Sequence, residues 1–169
     1  MIDADYVRLM ARYNAWQNAQ LIPVLEAIGH DALLEDRGGF FGGILATANH
    51  LLWGDTIWMS RFDPSVAPQA GGIPERVGLH ATIGAWAADR LRIDGKIRLW
   101  AEALDTVGVQ DALTWFSGAL GREVTAPKAS TIVHFFNHQT HHRGQIHAML
   151  TAIGAAAPVT DLFIMPQEV

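Results

Sequence analysis

The chain has 169 residues, half of them hydrophobic, with 12 Lys and Arg against 17 Asp and Glu and no cysteine. A chain of this length and apolar content can bury one good core, so a single domain over 1–169 is expected. The net charge of −5 with no Lys/Arg-rich block lacks the electrostatic footprint of a nucleic-acid binder. The missing cysteines exclude disulfides, thiolate ligands and cysteine nucleophiles, and leave histidine and carboxylate as the strong metal ligands.

The first residues, Met1-Ile2-Asp3-Ala4-Asp5, carry no basic segment followed by an apolar run, and no apolar stretch is long enough to span a bilayer. A cytoplasmic protein without membrane association is the expectation. Residues 3–28 read as a first helix, capped by Asp3, with apolar positions from Tyr6 through Ile28 and a stop at Gly29. Pro23 removes one backbone donor inside that pattern, which predicts a kink near 19–23 or a break. Residues 30–38 are polar and read as a loop.

Phe40 to Phe62 read as a second helix. Phe41, Leu45, Ala48, Leu52, Met59 and Phe62 make one stripe, while Trp53, Ile57 and Trp58 are apolar elsewhere around the circumference. Such a helix needs partners on two sides, as the central helix of a bundle or as both a core and an oligomer-interface helix. His50 lies on it with Gly43, Ala46, Thr47, Gly54 and Ile57 as facial neighbours, mostly small, so this face leaves room for an ion. Asp55 falls roughly 140° around the helix from His50, on the apolar stripe, and reads first as a satisfied buried polar group.

From Asp63 to about His80, Pro64, Pro68, Gly71, Gly72, Pro74 and Gly78 mark a long crossover. Residues 81–104 restore the helical period through Ile83, Trp86, Ala87, Leu91, Ile97 and Trp100, with Asp89, Arg90, Arg92, Asp94, Lys96 and Arg98 as the polar face and Gly95 as a weak point. Leu113–Phe116 and Arg122–Thr125, flanking Ser117-Gly118-Ala119-Leu120-Gly121, read as a small hairpin before the last helix. Pro127 ends the hairpin, Ser130 or Thr131 caps the last helix, and Gly154 closes it. The tail 155–169 is irregular, with Leu162, Phe163, Ile164 and Met165 apolar enough to dock.

The last helix carries five histidines. His138 and His142, four residues apart, stack on one face and can share one transition-metal ion. Both lie near the stripe of Ile132, Phe135, Gln139, Ile146, Leu150 and Ile153, whereas His134 and His141 project further outward and His147 lies on another side. The pair His134 with His138 is the competing arrangement. HxxxH lacks the built-in general base of HExxH and needs a ligand from elsewhere. The plain alternative is a set of solvated or backbone-bonded histidines that bind nothing.

Four stretches add a resemblance to these readings. They are Ala11-Arg12-Tyr13-Asn14-Ala15-Trp16-Gln17-Asn18, Asp36-Arg37-Gly38-Gly39-Phe40-Phe41-Gly42, Thr47-Ala48-Asn49-His50-Leu51-Leu52-Trp53-Gly54-Asp55-Thr56-Ile57-Trp58, and Asn137-His138-Gln139-Thr140-His141-His142-Arg143-Gly144-Gln145-Ile146. In order and spacing the chain resembles the DinB-like (damage-inducible, YfiT-like) helical metalloproteins. The resemblance implies an all-α four-helix bundle connected up-down-down-up, a divalent transition metal (Zn, Ni or Fe) held by His50, His138 and His142, and a homodimer. It also implies a small-molecule substrate, with a low-molecular-weight thiol as co-substrate in some members.

Three histidines leave coordination positions open, as in catalytic and not closed structural sites. Activation of a thiol or water there, in a thiol-dependent transferase or hydrolase, is one functional expectation. A non-catalytic metal-dependent binding or stress-response module is the other. No general acid or base accompanies the histidines in sequence. Asp55, Arg61 and Gln145 are the candidates for supporting or substrate contacts, with Gln145, nearly in line with His138, the first choice.

Overall fold

The computed structural model describes residues 2–69 and 73–167 and is mostly helical, with one two-stranded antiparallel sheet. Four helices of 19 to 25 residues carry the core: α1 Ala4–Ala27, α3 Ile44–Phe62, α4 Ile83–Ala103 and α6 Lys128–Ala152. Two five-residue helices, α2 His30–Leu34 and α5 Thr106–Gln110, are interposed. Strands β1 Ala112–Ser117 and β2 Arg122–Pro127 precede α6. Packing follows the pairs α1 with α4, α3 with α6, α3 with α4 and, more sparsely, α1 with α6. No helix among the described residues is long and apolar enough to cross a membrane.

Helix α1 starts as its cap predicts, with Asp3 Oδ1 accepting from the Tyr6 amide at 2.9 Å. It runs through Pro23 without a break, because tertiary packing of Leu21 and Leu25, 3% and 0% exposed, outweighs one lost backbone bond. Gly29 then takes φ +82°, a left-handed conformation that suits glycine. The polar stretch after it is not all loop, since α2 buries Leu33 against the core.

Helix α3 begins four residues later than its apolar pattern suggests. Residues 39–42 form a tight turn closed by a Gly42 N–H to Gly39 carbonyl bond of 2.8 Å, with Gly42 at φ +78°. Phe41 is therefore not part of the helical stripe. The half-buried Trp58, off the main apolar stripe of α3, meets Phe62, Trp115 of β1 and His134 within the chain. The crossover places a 3-10 turn, Ile73–Val77, against α3, and Asn49 accepts from and donates to its neighbours, taking the Val77 and His80 carbonyls at 3.0 and 2.9 Å. Gly71 and Gly72 lie outside the described residues.

The polar face assigned to α4 holds only in part. Arg90 and Asp94 point inward, 0% and 4% exposed, while Leu91 is outward at 57%. Arg90 donates to Asp55 Oδ2 and to Asp94 Oδ1, each at 2.6 Å, and Asn14 and Asn18 of α1 donate to Asp94 at 2.9 and 3.0 Å. Asp55 is thus a buried polar group with a partner, as its place on the apolar stripe predicts. Gly95 does not interrupt α4.

The hairpin has the predicted strands, with Trp115 opposite Val124 and Gly121 at φ +63° in its turn. Helix α6 starts at Lys128 directly after Pro127, without a side-chain cap. Ser130 and Thr131 bond instead to the Pro127 and Lys128 carbonyls behind them, which removes them as caps. Gly154, at φ +72°, ends α6 with a bond from the Ala155 amide to the Leu150 carbonyl. Leu162, Phe163 and Ile164 do not dock and are 38%, 87% and 50% exposed. The tail is fastened through its backbone: Gln17 donates to the Val159 carbonyl and Tyr13 to that of Thr160, both at 2.6 Å.

Replacing Arg90 by Met removes one charge and leaves two buried carboxylates facing each other. We expect a loss of about 3–5 kcal/mol in urea unfolding. A loss below about 1 kcal/mol would show that the carboxylates are not held as a charged cluster.

Candidate metal centre

Helices α3 and α6 approach closely where α3 has no side chain. A Cβ on Gly54 would lie 2.7 Å from Cε1 of His138, so glycine is required for the His138 ring to lie across α3. His50, one turn before Gly54, and His142, one turn after His138, complete a cluster. One ligand nitrogen from each of the three rings lies within 4.8 Å of the others. His50 and His142 are 8% and 6% exposed and His138 is half-buried. Of the other α6 histidines, His134 packs its ring at Trp58 and lies outside the cluster. The pair His134 with His138 is not the one the fold brings to His50.

Nε2 of His50 faces Nε2 of His138 at 3.1 Å. Two imidazole nitrogens pointed at each other share a single proton between two lone pairs, while one ion satisfies both, and metal–nitrogen bonds of about 2.0–2.1 Å put such nitrogens roughly 3.3 Å apart. His142 is oriented by Gln145: its Nδ1–H donates to Oε1 at 2.7 Å, which leaves the Nε2 lone pair free. Nδ1 of His50 and of His138 is buried without a hydrogen-bond partner. The residues fit a divalent transition ion by donor type, number and spacing. Gln145 is the supporting residue expected from the sequence, although it serves His142 and not His138.

The family model for the DinB family matches residues 1–168. The chain belongs to the DinB family. No curated protein matches it. In this DinB-family chain two of the three histidines, His50 and His142, line a cavity of about 610 Å³, together with Phe40, Phe41, Trp53, Arg76, His141 and Gln145. Phe41, released from α3 by the turn at 39–42, stacks on His50 at 4.2 Å between centroids and meets His142 at 5.6 Å. The Arg76 guanidinium lies 5.4 Å from the Phe41 ring centre. Trp53 Nε1 is buried without a hydrogen-bond partner.

Phe41, Trp53, Arg76 and His141 were not assigned to the site from sequence. For Phe41 the signal was present in Gly38-Gly39 and Gly42-Gly43, glycine pairs that mark a turn on both sides of it. Asp55 and Arg61 leave the site. The first is committed to Arg90, and the second stacks on Trp58 with its guanidinium 4.5 Å from the ring centre.

Burial pushes the His50 and His138 pKa values down, to about 4 and about 3, with neighbouring imidazoles adding to the effect, and His142 is lowered by burial as well. All three are neutral at pH 7, the form that ligates metal. In the unfolded chain these rings take up protons near pH 6.5, whereas the folded chain refuses them until about 4 and 3. The unfolded state binds more protons in that interval, so stability of metal-free protein is full above 6.5 and falls as pH drops toward 4. Urea midpoints between pH 7.5 and 4.5 should show this decline, and His138→Gln should flatten it. An equal slope in wild type and variant would contradict the burial argument.

Proposed function

We propose that this DinB-family protein is a four-helix bundle, connected up-down-down-up, that holds one Zn, Ni or Fe ion at His50, His138 and His142 and works as a metal-dependent enzyme on a small molecule. The observation that carries the reading is the 610 Å³ cavity against which the three-histidine cluster lies. A closed structural ion needs no space of substrate size beside it.

Once bound, the ion would supply a Lewis acid that favours the deprotonated form of a thiol or water at neutral pH. The protein's residues supply the rest. Gln145 fixes the His142 ring. The half-buried Phe41 and Trp53 form an apolar wall for the substrate's body, with Phe40, 79% exposed, at its edge. Arg76 places positive charge at the pocket, suited to a carboxylate on substrate or thiol. His141 lines the same cavity, exposed, with its ring 4.8 Å from that of His142, and would accept the proton that a thiol or water gives up. A thiol-dependent transferase or a hydrolase fits these parts, in the cytoplasm and without nucleic acid.

Protein purified without a nickel column should contain about one divalent ion per chain. His142→Ala should lose it with little change in thermal midpoint, and His141→Ala should keep it while losing turnover in screens of thiol-transfer and hydrolysis substrates. Metal-free wild-type protein would end the proposal. Full metal with no thiol perturbing the spectrum of a cobalt-substituted sample would favour a non-catalytic binding module instead.

A homodimer, which the family resemblance implies, is part of the same proposal. Sedimentation at micromolar concentration should give twice the 18.5 kDa chain mass. A monomer removes it.

A further inference from the structure

A second cavity, of about 490 Å³, lies between α1, α6 and the tail, away from the three-histidine cluster and sharing no lining residue with its pocket. Its walls include Leu21, Ala148 and Pro158, with Tyr13, Gln17 and Arg143 as the principal polar members. The α1 to α6 side is the sparsely packed side of the fold, and the tail closes it. That closure is specific, since Gln17 and Tyr13 hold the Val159 and Thr160 carbonyls.

Most polar groups of the wall are already engaged. Thr140 and Thr151 bond back to the Phe136 and His147 carbonyls of their own helix, and Gln17 and Tyr13 are spent on the tail. Arg143 differs. Its Nη1 donates to Asn14 Oδ1, and its guanidinium lies 5.8 Å from the Tyr13 ring centre. Among the described residues no carboxylate lies within ion-pair distance of it. A guanidinium has five N–H donors in a planar fork, so most of its capacity for a bidentate anion is unused.

Gly144 supplies the space. A Cβ there would meet nothing within 4 Å, and the residue lies inside α6, where any other helix former would be more stable.

We infer that this cavity is a second ligand site, which takes a small monocarboxylate with an apolar body. The carboxylate pairs with the free edge of the Arg143 guanidinium and the body lies along Leu21, Gly144, Ala148 and Pro158. A doubly charged phosphate is disfavoured, because a single half-buried arginine cannot compensate it. The inference does not rest on the proposed metal chemistry.

Octanoate, with 1-octanol as its uncharged counterpart, is the probe. Calorimetric titration of the full chain should show octanoate binding with a dissociation constant below the millimolar range and octanol weaker by about 10–100-fold. Gly144→Leu fills the cavity and should abolish binding while circular dichroism and metal content stay at wild-type values. Arg143→Gln should weaken octanoate by the same factor and leave octanol unchanged. Asp161, close enough to Tyr13 to raise its pKa, repels an anion at the rim, so Asp161→Asn should tighten octanoate severalfold. No octanoate binding to wild type overturns the inference, as does binding that survives Gly144→Leu. Equal affinity for octanol and octanoate overturns the assignment of a carboxylate to Arg143.

Discussion

Arg90 is a fully buried cation, and the rotation of every long helix follows from how it is satisfied. Asp94 on its own helix and Asp55 on α3 neutralise it, and Asn14 and Asn18 bring in α1 through Asp94. Arg143 returns from α6 to Asn14. Burial pushes Asp55 up, to about 6, against the pull of Arg90, so the pair is under electrostatic load and not a free gain in stability. A leucine and a pair of valines in those places would pack without that load. What the charged cluster adds is orientation. An apolar interface tolerates rotation by some tens of degrees, whereas an Arg to Asp contact at 2.6 Å does not.

The three-histidine arrangement inherits that orientation through chain neighbours. Asp55 points to Arg90, so Gly54 beside it faces α6, and His50 one turn earlier shares that side. Gln139 is fully buried on α6, so His138 beside it lies at the edge of the same interface. Arg143 is held by Asn14, and His142 beside it projects the other way, toward His50 and Phe41. His142 thus adjoins a member of the buried polar network directly, and His50 follows it through Gly54, which lies beside Asp55. Packing thus brings one nitrogen of each of the three rings within 4.8 Å of the others, the spacing that a shared ion needs.

The sequence exposed the parts governed by periodicity and hid those governed by exceptions to it. The four long helices, the hairpin and the caps Asp3 and Gly154 follow from spacing and end signals. His50, His138 and His142 were also legible, since an i,i+4 pair near the apolar stripe and a histidine on a small-residue face are geometric statements about single helices. Arg90 and Asp94 were not, because hydropathy places every charge outside and only a partner on another helix, here Asp55, reverses that. Phe41 was assigned to the wrong element for a related reason: its apolar register matched α3, while the glycines around it make a turn. Leu162 to Ile164 show the converse, an apolar run with no groove to receive it.

The charge balance at the cluster narrows what chemistry suits it. Three imidazoles kept neutral by burial contribute no negative charge, and the one acidic residue near in sequence, Asp55, is turned to Arg90. The two positive charges of a divalent ion held there would thus find no negative charge on its three ligands. In surroundings lined by Phe40, Phe41 and Trp53 such an excess is relieved by an anionic ligand entering from solution. Thiolate, hydroxide and carboxylate meet that need, whereas a neutral ligand does not. The anion preference proposed for the site would come from what its three ligands leave uncompensated.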